Sequence, residues 1–136
     1  MPGEDFAVFH TGVDIGAKAG TPVFATQGGT VVFAYIDLEG TGGKLVVVET
    51  AGRYARQITR YGHLQDILVE KGELVKPGDI LGLVGSTGFS TGPHLHFEMY
   101  SILPDGSIAW HDPMNVICDY KKDLQVPHFN SFGPVN

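Results

Sequence analysis

Glycine and proline punctuate this chain so closely that only short elements fit between them. Nineteen glycines and eight prolines are spread over 136 residues, and no long window between them carries a helical period. The intervening runs are β-branched and aromatic, so Thr21–Ala25, Thr30–Ile36 and Lys44–Glu49 each read as a strand. Further strands are expected at Gln57–Tyr61, Ile80–Gly85 and His94–Tyr100. Gly28-Gly29 and Gly40-Thr41-Gly42-Gly43 supply turns, because glycine takes positive φ without steric cost. Pro77-Gly78 predicts a tight connection into the Ile80 strand, and Pro104-Asp105-Gly106 a hairpin tip. Short strands at this spacing predict an all-β fold, an antiparallel sheet sandwich or partly open barrel with long loops forming a cleft.

The chemistry concentrates in Gly92-Pro93-His94-Leu95-His96-Phe97-Glu98. Alternation along a strand puts His94 and His96 on one face and turns Leu95 and Phe97 toward a core. Their Cα atoms then lie about 6.6 Å apart at ~3.3 Å per residue. Both imidazoles can thus address one metal ion, or one can bind it while the other reaches its water. Two more sets lie upstream, His10-Thr11-Gly12-Val13-Asp14 and Tyr61-Gly62-His63-Leu64. A straight strand would hold the His10 and Asp14 Cα atoms about 13 Å apart, far for one ion with bonds near 2 Å, so a bend at Gly12 is expected. Together His10, Asp14, His63, His94 and His96 point to a catalytic zinc site. Glu98 shares the face of His94 and His96, where it either orients one of them or stands as a structural carboxylate. Tyr61 is expected in the core. Ser90 and Thr91 sit in a glycine-rich turn and read as holding the His94 loop rather than attacking a substrate. His111 and His128 fall outside the pattern and read as surface or packing residues.

Six blocks follow one another in order: His10-x-Gly12-x-Asp14; Gly20-Thr21-Pro22-Val23-x-Ala25; Gly29-x-Val31; Tyr61-Gly62-His63-Leu64; Val75-Lys76-x-Gly78-Asp79-x-Leu81-Gly82; and Gly85-Ser86-Thr87-Gly88-x-Ser90-Thr91-Gly92-Pro93-His94-Leu95-His96-Phe97-Glu98. This ordered set resembles the lysostaphin/LytM-type zinc endopeptidases from about His10 to Asn115. The resemblance implies that His10, Asp14 and His96 bind one zinc ion per chain, with water in the fourth position. It implies too that His63 and His94 are the catalytic histidines flanking that water. The expected substrate is a peptide bond in a peptidoglycan stem peptide or cross-bridge. One imidazole would orient or deprotonate water, and the other would stabilise the oxyanion or protonate the leaving amine. The sequence leaves that division open. No His-Glu-x-x-His occurs, so a thermolysin-type glutamate base is not available. The family commonly carries a Phe-Gly-x-Arg-like stretch before the first histidine; here nine residues precede His10, so the N-terminal edge strand is expected to be missing or supplied differently.

A net charge of −6 argues against a nucleic-acid groove, and no apolar run approaches the ~20 residues of a membrane span. The start of the chain is neither basic nor apolar enough for a signal peptide. An extracytoplasmic or virion-associated location is therefore expected only from the family. The catalytic domain is expected at 1–118, with 119–136 as a tail or linker to other modules of a longer protein. The lone Cys118 reads as a buried, inert thiol. Two other functions fit parts of the pattern. A non-catalytic LytM-like module that regulates another wall hydrolase would share the fold but typically lacks some of the five site residues. A phosphocarrier resembling the glucose-type sugar-phosphotransferase domain would share His-x-Gly-x-Asp and Val-Lys-x-Gly-Asp, but not His94-Leu95-His96-Phe97-Glu98.

Overall fold

A computed structural model describes residues 6–8, 12–37, 40, 42–53, 55–88 and 92–111. Among the described residues there is no helix. The described residues form ten strands in one antiparallel sheet that does not close into a barrel. They are β1 (Phe6–Val8), β2 (Val13–Gly16), β3 (Pro22–Phe24), β4 (Gly29–Asp37), β5 (Gly43–Ala51), β6 (Arg56–Ile67), β7 (Leu74–Val75), β8 (Ile80–Val84), β9 (His94–Ile102) and β10 (Ile108–Trp110). Their hydrogen-bonded order is β1-β2-β9-β6-β5-β4-β7, with β10 also on β9, and β8 bridging β6 to β3.

All six expected strands are present, and β6 runs on to Ile67, well past the expected end at Tyr61. β1, β2, β7 and β10 extend the expected set; at two to four residues each they are too short to display a period. β1 supplies the edge beside β2, pairing Val8 with Val13. The Pro77-Gly78 connection is a turn in which Asp79 N–H donates to the Lys76 carbonyl at 3.0 Å, with Gly78 at φ 96°. Pro104-Asp105-Gly106 caps the β9–β10 hairpin as expected, and the Asp105 carboxylate accepts from the Ser107 N–H at 2.9 Å.

Alternation sets the core. On β9, Leu95, Phe97 and Met99 are buried while His94, His96 and Glu98 are half-buried. Leu95 and Phe97 pack with Val13, Ile15, Val46, Tyr61 and Leu64 on one side of the sheet. Burying each such side chain contributes about 1.5–3 kcal/mol. Tyr61 is wholly buried as expected, and its hydroxyl accepts from the Thr26 N–H at 3.0 Å. Leu45, Val47 and Ile58 form a smaller buried cluster, flanked by Phe33, Tyr100 and Ile102. Alternation along β5 puts it on the opposite face from Val46 and Val48. Ser90, Thr91, Cys118, His128 and the 118/119 boundary lie outside the described residues.

Candidate active site

Strand register assembles most of the site. β2 pairs with β9 so that Asp14 stands opposite His96 and Gly16 opposite His94. On the other flank of β9, β6 places Gly62 opposite His96 and Arg60 opposite Glu98. Side chains opposite one another share a face, so Asp14, His94, His96, Glu98 and Arg60 all lie away from the main core. Asp14 Oδ1 is 2.5 Å from His96 Nδ1 and Asp14 Oδ2 is 3.5 Å from His94 Nε2. Gly12 is required where the chain crosses this face. A Cβ there would lie 2.7 Å from the Phe97 carbonyl oxygen and 3.2 Å from His96 Cε1. His10 itself lies outside the described residues.

His63 reaches the same face only because β6 breaks its alternation. In a straight strand Tyr61 and His63 would share the core face. Between Tyr61 and Leu64 the pairing with β5 slips, from Tyr61↔Val46 to Leu64↔Lys44, placing an extra residue in β6. His63 takes φ 62°, alone among the described non-glycine residues in this region. The bulge puts both Tyr61 and Leu64 in the core and turns His63 to the site. Its ring centroid lies 4.8 Å from that of His94 and 5.9 Å from that of His96. A left-handed non-glycine residue costs on the order of 1–3 kcal/mol and persists only where its surroundings over-determine it.

Thr87 provides that determination. Its carbonyl accepts from His63 Nδ1 at 2.6 Å, while its hydroxyl accepts from the Lys44 N–H at 2.9 Å and donates to the Leu64 carbonyl at 2.7 Å. The His63 N–H donates to the Gly42 carbonyl at 2.7 Å. The Thr87 contact fixes the neutral His63 with its proton on Nδ1, leaving Nε2 as acceptor. Burial holds the His63 pKa below the ordinary 6.5, although the Thr87 carbonyl pulls the other way. His94 is oriented likewise, its Nδ1 donating to the Gly92 carbonyl at 2.8 Å.

His96 sits between two carboxylates. Its Nδ1 faces Asp14, and its Nε2 donates to Glu98 Oε2 at 2.9 Å. Burial pushes the His96 pKa down, but the two carboxylates outweigh it and hold it at about 9. Asp14 moves the opposite way: burial raises its pKa, but the bond from His96 and the charges of the three histidines outweigh that and keep it below 3.8. Asp14 and His96 therefore share a proton at a hydrogen-bond separation. Two donors around a tetrahedral zinc ion lie roughly 3.3 Å apart, given bonds of about 2.0–2.2 Å. An opening of under about 1 Å would let a cation replace that proton. The donors are those zinc prefers, and the Glu98 contact to the far nitrogen is the usual support of a metal-binding imidazole. Among the described residues no three donor side chains gather at one point; the third expected donor is His10.

Sequence reasoning assigned no role to Thr87, Arg60 or Asp37. Arg60 and Asp37 line a cavity of about 190 Å³ beside His63 and His96. Nothing in their spacing distinguishes them from solvated surface charges. His111 is a packing residue as expected, its Nε2 2.6 Å from Ser101 Oγ.

Residues 8–108 match peptidase family M23, and the chain belongs to that family. Membership sets aside the phosphocarrier alternative. Among its relatives is the peptidoglycan DD-endopeptidase ShyB of Vibrio cholerae, 43% identical over 66% of this chain and 20% of that protein. The solved catalytic domain of lysostaphin from Staphylococcus simulans is 33% identical with a TM-score of 0.66, covering 85% of this chain and 90% of that one. A zinc-containing peptidase from Vibrio cholerae is 39% identical with a TM-score of 0.59, covering 74% and 29%. The chain spans about a fifth of the length of the curated relatives it matches.

Proposed function

We propose that this chain is a zinc-dependent endopeptidase that hydrolyses peptide bonds in peptidoglycan stem peptides or cross-bridges. It would act outside the cytoplasm, where that polymer lies, or on a virus particle. What supports the reading is the convergence of Asp14, His63, His94 and His96 on one face of a family M23 sheet. His10, Asp14 and His96 hold the ion, which when bound supplies Lewis-acid activation of water at neutral pH.

The rest of the chemistry falls to the chain's own imidazoles. His63 and His94 each use Nδ1 on a backbone carbonyl, so Nε2 is the proton-transfer atom of each. One Nε2 accepts a proton as water adds to the peptide carbonyl, and the other, protonated, hydrogen-bonds the developing oxyanion. A proton returned to the leaving nitrogen completes the cleavage: the C–N bond breaks, releasing an amine and a carboxylate. Glu98, anchored by Arg60, keeps His96 Nε2 occupied so that Nδ1 faces Asp14.

Elemental analysis should find about one zinc per chain. His96→Ala should lose both the metal and the release of peptides from purified cell walls. A chain that holds no zinc and digests no wall preparation would instead be a non-catalytic module acting through another hydrolase.

A further inference from the structure

Among the described residues, Arg60 contributes the only lysine or arginine side chain to the cavity beside His63 and His96. Its Nε lies 3.0 Å from Glu98 Oε1 in an ion pair. Among the described residues no partner meets Nη1 or Nη2. The ion pair engages Nε, and the Nη donors remain available on a one-third-exposed side chain. The two acids among the described residues that line the cavity are already engaged. Asp37 accepts from the Gly40 and Gly42 N–H groups at 2.9 and 3.2 Å, and Glu98 forms the ion pair with Arg60 and accepts from His96. The unspent hydrogen-bonding capacity of Arg60 is cationic and planar, the form that matches a carboxylate.

Its position fits a substrate contact. Arg60 is two strand residues from Gly62, which stands opposite His96; that is about 7 Å along the strand. A carboxylate carried by a residue next to the scissile bond spans such a distance. We infer that Arg60 is a substrate-binding residue that takes a free carboxylate on the peptide residue adjoining the scissile bond. The inference deepens the proposed function and rests on it for the location of that bond. It names the preferred substrate: a cross-link flanked by an acidic diamino or dicarboxylic residue, rather than an uncharged glycine bridge.

The test uses two synthetic cross-linked peptides that differ only in whether the flanking carboxyl is free or amidated. Cleavage is measured with the zinc-loaded chain, and affinity by calorimetry with the metal-free chain. The free acid should be favoured about ten-fold in kcat/KM, carried mainly by KM, and should bind correspondingly tighter. Arg60→Gln should bring the ratio of the two peptides to about one, while Arg60→Lys keeps part of it. The ratio cancels any general damage from loosening Glu98, and the wild-type and Lys ratios still decide the matter if Arg60→Gln folds poorly. Equal cleavage of both peptides by the wild type would overturn the role of Arg60 and leave the endopeptidase reading intact. Preferential binding of the free acid without cleavage of either would do the reverse. A preference that survives Arg60→Gln would assign the carboxylate to another group.

Discussion

Replacing Thr87 with valine should show how much of the site depends on a single hydroxyl. Thr87 Oγ1 joins β5 to β6 at the point where their register slips, accepting from Lys44 N–H and donating to the Leu64 carbonyl. Valine keeps the shape and removes both bonds, leaving a part-buried donor and acceptor unsatisfied at about 1–3 kcal/mol each when fully buried. Partial solvent access lowers the total to about 2 kcal/mol. With a urea slope of about 2 kcal/mol per molar, the unfolding midpoint should fall by about 1 M. Zinc-loaded Thr87→Val should also lose kcat more than it raises KM, because the bulge that presents His63 loses its clamp. Thr87→Ser retains the hydroxyl and should stay near wild type in both measurements. The reasoning is refuted if valine leaves the midpoint unchanged, or if serine is as damaging as valine.

Zinc uptake should depend steeply on pH. On the proposed ligand set, zinc would displace one proton from His96, whose pKa is held at about 9, so apparent affinity should rise about ten-fold per unit between pH 6.5 and 8.5. Competition with a chromophoric chelator measures this, and a flat profile would refute the shared proton. The same raised pKa stabilises the metal-free fold fully below pH 6.5 and is lost as pH climbs through 9. Thermal midpoints without zinc should accordingly fall across that window. Gly12→Ala forces a Cβ against the Phe97 carbonyl and Glu98 Cγ; it should cost about 1–3 kcal/mol in urea unfolding and weaken zinc binding, and wild-type values for both would sink the close-approach argument.

The alternation of Leu95 and Phe97 with His94 and His96 was legible in the chain because β9 is long enough to show a period of two. Asp14 was legible as a residue type, while its partner was fixed only by the β2–β9 register, a pairing between segments some eighty positions apart. His63 shows where the alternation rule fails. Applied to Tyr61-Gly62-His63-Leu64, the rule sends His63 into the core and Leu64 out. The structure does the opposite, through one inserted residue and one left-handed backbone. Neither leaves a mark in a hydropathy pattern, although Gly62 before a histidine permits such a bulge. The bulge costs energy that the Thr87 clamp and the burial of Leu64 offset. The clamp works only because Gly43, at φ 68°, has no Cβ to collide with Thr87. Thr87 is thus as much a determinant of the His63 position as anything in β6 itself. A residue that lies 24 positions away decides whether the two imidazoles of His63 and His94 can face each other.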